Sequence, residues 1–192
     1  MKGLDRHLQN RRIGVALPWI PPGAHVLDVG TADGALFRQG RSQIPSGVGI
    51  DTRENDDWVG EGYERRVGSF PEAVRPDEQF DAVVMLAVVE HVPDDELARW
   101  AAAVPRILRP HGRLVITTPS PMVDHILDVG IRLRVIDGME ADEHHGFDPA
   151  EVPAIFSVPG MRLEKRRRFE LGLNHLFVFS ATATGPSPAP AP

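Results

Sequence analysis

Strand-like and helix-like stretches alternate along this chain, and the alternation restricts its fold more than any other property. The runs HVLDVG (25–30), GVGID (47–51), YERRVGSF (63–70), FDAVVML (80–86) and GRLVITT (112–118) are rich in Val and Ile and close on turn residues, as strands do. Helical patterns separate most of them. After EHVP, the residues Leu97, Trp100, Ala101, Val104 and Leu108 form one apolar stripe, with Asp94 placed to cap it and Asp95 and Glu96 suited to its positive end. Pro105 removes a donor inside that helix, so a kink or restart is expected there. Strand, helix, strand in repetition predicts an α/β fold: a doubly wound, mostly parallel sheet covered on both faces.

The C-terminal part departs from this rhythm. MRLEKRRRFELG and NHLFVFSA are two strand candidates joined by a tight LGLN link, which reads as an antiparallel hairpin at a sheet edge. The run KRRR (165–168) divides between the two faces of its strand and reads as solvated and edge-protecting. Residues 181–192, rich in Pro, Ala, Gly and Ser, read as a disordered tail. Residues 1–180 are expected to form one domain, because 192 residues at 42% hydrophobic suffice for one sizeable core. A net charge of -6 gives no footprint for a polyanion, so nucleic acid is not an expected partner. The chain has no cysteine, which excludes disulfides and thiolate metal sites. MKGLDRHLQNRR leads into no long apolar run, so the expectation is a cytoplasmic protein without a membrane span, monomer or homodimer.

The stretch VLDVGTADGALF (26–37) carries the first chemical signal. In a doubly wound sheet, ligands bind beyond the C-terminal ends of the strands, and the first strand-to-helix turn faces that crevice. Gly30 and Gly34 remove side-chain bulk, the amides near Ala35 offer donors to an anionic group, and Asp28 and Asp33 supply carboxylates for an ammonium or sulfonium. Asp51 ends the second strand 21 residues after Gly30, where a carboxylate can accept ribose hydroxyls. These features together point to a nucleoside. A dinucleotide site wants G-x-G-x-x-G; here Ala32 stands in the middle, Asp33 would repel a pyrophosphate, and the third offset has no glycine.

The turn resembles motif I of the class I S-adenosylmethionine-dependent methyltransferases, an acid-x-Gly-x-Gly-x-Gly pattern met here by Asp28, Gly30, Ala32 and Gly34. Later blocks resemble the same family in order: GVGID, FDAVVMLAVVEHV and ILRPHGRLVITTPSP, with the closing hairpin similar to the family's reversed seventh strand. The resemblance spans roughly residues 24–180. It implies a Rossmann-like, seven-stranded sheet and S-adenosylmethionine as cofactor. By the same resemblance, Gly30, Thr31, Ala32 and Gly34 lie against the methionine part and Asp51 with Thr52 at the ribose. Ser69 and Phe70 fall beside the adenine, and Leu86 with Ala87 on the far wall. Two positions depart from the family: Ala32 replaces the middle glycine, and Ser69 stands where many members carry an acid.

The acceptor is expected to be a small molecule methylated at oxygen or carbon. The Asn/Asp-Pro-Pro-aromatic turn of enzymes acting on DNA bases or protein glutamine is replaced here by MLAV (85–88). The acceptor pocket is expected from an N-terminal helical segment (1–22) and a lid insertion (119–147), where Met122, Ile126, Val129, Leu133 and Ile136 form a helical stripe carrying His125. DEHHGFDP (142–149) gathers Asp142, Glu143, His144, His145 and Asp148. Such a set can bind a metal, but no metal is assigned; His144 and His145 are the candidate bases for an alcohol acceptor. Asp148 reads as the N-cap of a helix with Pro149 at its first position and Glu151 at the box position. By the family resemblance, His91 is expected at the mouth of the crevice as a pocket-shaping residue. A catalytically silent cofactor-binding or partner-binding module, and less favourably an NAD(P)-dependent oxidoreductase, are the competing readings.

Overall fold

The computed structural model describes residues 3–54, 58, 60–120 and 147–182. Helix α1 (Gly3–Ala16) leads through a 3-10 turn at Leu17–Trp19 into β1 (His25–Val29), α2 (Ala35–Gly40), β2 (Ser46–Asp51), β3 (Tyr63–Val67) and β4 (Phe80–Leu86). A 3-10 turn at Val89–His91 precedes α3 (Asp94–Ile107), which runs directly into β5 (Leu108–Pro119). After residue 146 come α4 (Val152–Phe156), β6 (Met161–Phe169), a 3-10 turn at Glu170–Gly172, and β7 (Asn174–Ala181).

The seven strands form one sheet in the order β3-β2-β1-β4-β5-β7-β6. Neighbours from β3 to β5 pair in parallel, and β7 runs antiparallel to both β5 and β6. The chain reverses strand order between β1 and β4, and such a switch point opens a crevice above the strand ends. Both faces are covered. Val26, Val84, Val115, Leu176 and Val178 pack with Ile13, Leu36 and Phe37 of α1 and α2. Leu27, Val83, Leu114, Phe177 and Phe179 pack with Leu97, Trp100, Val104, Val152 and Phe156 of α3 and α4. Burial on two sides explains why β1, β2 and β4 read as nearly continuous apolar runs.

The structure corrects several local expectations. The β2–β3 and β3–β4 connections show turns and no helix among their described residues; Gly60, Gly62, Pro71 and Pro76 break any helical run there. Helix α3 begins at Asp94 with Pro93 as N-cap and no side-chain cap bond, so Asp94 opens the helix instead of capping it. Pro105 causes no restart, because the helix ends two residues later, and Leu108 belongs to β5. Asp148 Oδ1 accepts the Ala150 amide in a turn, and α4 starts later, with Glu151 as N-cap and Pro153 in its first turn. Ala181 is buried at the end of β7, not part of a tail. The stripe carrying His125, and His144 and His145 themselves, lie outside the described residues.

Candidate active site

The C-terminal ends of β1, β2, β3 and β4 open on one crevice of about 740 Å³, lined by Gly30, Ala32, Asp51, Thr52, Ser69, Phe70 and Ala87 among others. Seven of the eleven residues that the sequence assigns to the cofactor thus face the same space. The first turn is tied to β2 from below: the amides of Gly30 and Thr31 both donate to the Ile50 carbonyl, at 2.8 and 3.1 Å. It is tied from above by Asp51, whose Oδ2 accepts the Ala32 amide at 2.9 Å while Oδ1 accepts the Arg53 amide at 2.9 Å. Each carboxylate oxygen keeps a second lone pair for another donor.

Gly30 is glycine for a steric reason. Its φ is +72°, and a Cβ there would lie 2.3 Å from Cγ2 of Val88, so the β4 loop closes directly over the turn. Ala32 adopts φ 47°, a left-handed conformation that glycine takes freely and alanine at a cost. Ala87 in the β4 loop is also left-handed, at φ 55°, held by its amide donating to the Thr117 carbonyl at 2.8 Å.

The remaining assigned residues sit elsewhere. Asp28 is buried on the α2 side of β1; burial, opposed by the Thr31 hydroxyl and reinforced by the charges of Asp51 and Asp33, pushes its carboxyl up to about 7. Thr31 is buried and packs over Gly49, where a Cβ would meet its side chain at 2.7 Å. Gly34 is the N-cap of α2. Leu86 packs with the α1 and α2 core. Asp33 accepts from Gln9 of α1 at 3.1 Å, pairs with Arg38 and takes the Ala35 amide at 3.2 Å. The helix-opening amide that the sequence offers to a ligand is therefore already engaged.

The crevice also gathers His91, expected at its mouth, together with residues that the sequence assigns to other roles or leaves unmarked. Val88, His91, Val92, Glu96 and Trp100 line it from the β4 loop and α3, and Arg53 and Arg65 from the β2–β3 side. Trp100 read only as a core residue. It is 6% exposed and meets Phe70 edge to face, with ring centroids 5.2 Å apart. Arg65 sits 5.9 Å from the centroid of the Trp58 ring. No sequence motif marks Arg65, which the β2–β3 pairing carries into the site by placing it opposite Gly49. Among the described residues no cluster of His, Asp or Glu is arranged to hold a metal ion, and no helix is long and apolar enough to cross a membrane.

Comparisons with known proteins agree with this geometry. The family profile described as "Methyltransferase domain" matches residues 4–168. No curated protein matches at a significant level. Among solved structures, the chain is similar to the 1,6-didemethyltoxoflavin-N1-methyltransferase of Burkholderia thailandensis with bound 1,6-didemethyltoxoflavin and S-adenosylhomocysteine. That match has a TM-score of 0.69 at 16% identity, covering 91% of this chain and 78% of that one. It is similar to the magnesium protoporphyrin IX methyltransferase of Synechocystis PCC 6803 with bound S-adenosylhomocysteine, at TM-score 0.64 and 15% identity, covering 92% and 85%. It is similar also to the N-methyltransferase NodS of Bradyrhizobium japonicum WM9, at TM-score 0.60 and 14% identity, covering 93% and 96%. With the sheet order, the crevice at its switch point and a family match over most of its length, the chain belongs to the class I S-adenosylmethionine-dependent methyltransferases.

Proposed function

We propose that the protein transfers a methyl group from S-adenosylmethionine to a small-molecule acceptor. The observation that carries this reading is the meeting of Asp51, the bare backbone at Gly30 and the apolar wall of Phe70, Val88, Val92 and Trp100 around one crevice. Its volume of about 740 Å³ falls within the range of small-ligand sites. An acid with spare lone pairs suits ribose hydroxyls, and the apolar side chains beside Ser69 suit a purine. The donor set fits the cofactor of the family.

S-adenosylmethionine supplies a methyl group already activated by its sulfonium. The protein's task is then to align and to exclude water, and orientation alone contributes up to about 7–11 kcal/mol in favourable cases. Asp51 and the turn from Gly30 to Ala32 would fix the nucleoside and amino acid ends, while Ala87, Val88 and His91 would bound the space where the acceptor enters. A small acceptor is supported by the three similar enzymes, whose names specify a toxoflavin precursor, a porphyrin, or N-methylation. Those names include nitrogen as a target, so they do not favour the oxygen or carbon expected from the sequence. For an alcohol acceptor, His144 or His145 would take the proton, contributing about 10²–10⁴-fold.

Turnover of a labelled methyl group against a library of phenols, heterocyclic amines and enolisable carbonyls tests the proposal. Transfer to one class supports it. Cofactor binding with no transfer to any class would make the protein a silent binding module. With the acceptor in hand, His144→Gln and His145→Gln should lower kcat while leaving cofactor affinity within about threefold.

A further inference from the structure

Among the described residues, strand β6 is the free edge of the sheet on the side opposite β3. Lys165, Arg166, Arg167 and Arg168 follow one another along it, all exposed. Arg162 on the same strand is answered by Glu164, but none of these four makes an ion pair among the described residues. The chain as a whole has 21 basic against 27 acidic residues, so the strip inverts the protein's overall sign. Its potential reaches inward: burial first, and then Arg168 and Arg166, hold the His175 imidazole below its usual range.

The geometry of the strip is that of an open ladder. A register shift between Leu163 and Lys165 interrupts the first half of β6, after which Lys165 to Phe169 pair regularly with Val178 to Asn174. Lys165 and Arg167 stand opposite Val178 and Leu176, which belong to the α1 face; Arg166 and Arg168 stand opposite Phe177 and His175 on the α3 face. Arg166 lies over the Phe177 ring at 5.5 Å. The cations thus flank the outer row of backbone donors and acceptors on both sides. One or two charges are enough to discourage edge pairing. Three consecutive arginines offer planar forks matched to carboxylates, which a protective lysine does not.

We propose that the outer edge of β6 receives an extended acidic segment of a partner protein, which adds as a further strand and sets consecutive carboxylates against Lys165, Arg166, Arg167 and Arg168. A second copy of this chain is disfavoured at this edge, since β6 against β6 would place cation against cation. Strand addition gives affinity through the main chain and specificity through side chains on the two faces. Because the cations alternate between faces, the partner must carry acids at successive positions; acids at every second position would meet only one pair.

The test is fluorescence anisotropy on the full chain at about 0.1 M salt. One labelled peptide carries four consecutive glutamates between valines, and its control has four glutamates alternating with threonines. The consecutive peptide should bind about tenfold more tightly than the control and lose about tenfold on the double substitution Lys165→Glu and Arg167→Glu. N-methylation of alternate amides in the peptide should abolish binding, and amides from Lys165 to Phe169 should gain hydrogen-exchange protection in the complex. The doubly substituted protein should keep its melting temperature and its affinity for S-adenosylhomocysteine. Equal binding of the two peptides, binding insensitive to N-methylation, no binding, or tighter binding of a random-sequence DNA duplex would overturn the proposal.

Discussion

The carboxylate of Asp51 accepts the backbone amide of Ala32 at 2.9 Å, so the acid at the end of β2 also closes the turn that follows β1. One side chain thereby joins the two elements that the sequence marks separately as a nucleoside site. Its other oxygen holds the Arg53 amide, and each oxygen keeps a lone pair for a further donor.

Replacing Asp51 should therefore injure binding more than folding. Asp51→Ala would lose charge-assisted hydrogen bonds to ribose worth roughly 1.5–3 kcal/mol each, about a hundredfold or more in affinity for S-adenosylhomocysteine. The melting temperature should fall by only a few degrees, because Asp51 is partly exposed. Titration calorimetry and thermal melts of the same variant check both halves. An affinity within about threefold of the parent would show that Asp51 serves the turn alone.

Ala32 sits at φ 47° where the family pattern carries glycine. A left-handed residue with a Cβ costs roughly 1–2 kcal/mol, and glycine returns part of that as chain entropy on folding. Ala32→Gly should stabilise the protein, raising the melting temperature by about 2–4 °C. A lower melting temperature would mean that the methyl group makes a packing contact that outweighs the strain.

Gly30→Ala should be costly for two separable reasons, the positive φ and the 2.3 Å approach of a new Cβ to Val88. Together they should remove about 2–4 kcal/mol in denaturant unfolding. Adding Val88→Ala should recover the steric share and leave the backbone share. Strict additivity in that double-mutant cycle would contradict the contact.

Asp28 gives the fold a pH signature. Its carboxyl is raised to about 7 by burial, so the folded state holds its proton more tightly than the unfolded chain does. The stabilisation is complete below the unfolded value near 3.8 and is lost as pH rises through about 7. Glu78 acts in the opposite sense: Arg66 lowers its pKa to about 2, so its contribution is lost as pH falls through that value. Comparison with Asp28→Asn isolates Asp28, since asparagine mimics the neutral form. The variant should gain stability relative to the parent as pH rises from 4 to 7, by at most about 1.4 kcal/mol per unit. A difference independent of pH would contradict the assignment.

Much of the architecture was legible in the sequence because parallel strands buried on both faces write long apolar runs. FDAVVML coincides with β4 and NHLFVFSA with β7. The doubly covered sheet and the closing hairpin followed from pattern and turn chemistry. The sequence was less informative where contacts join distant elements. Asp33 looked like a ligand group because it neighbours Gly34, yet α1 brings Gln9 to it and α2 brings Arg38. Trp100 looked like core because it shares a stripe with Leu97 and Val104, yet α3 starts beside the crevice and turns its ring toward Phe70. Arg65 carries no motif at all, and only strand pairing places it in the site.

The crevice at the switch point of the sheet is expected to hold S-adenosylmethionine. Isothermal titration calorimetry of the full chain against S-adenosylhomocysteine, with S-adenosylmethionine and NAD as competitors, is the decisive measurement. Binding should be saturable at one site per chain, displaced by S-adenosylmethionine, untouched by NAD, and weakened by Asp51→Ala. The absence of heat at millimolar S-adenosylhomocysteine, or its displacement by NAD, would mean that the crevice is not an S-adenosylmethionine site.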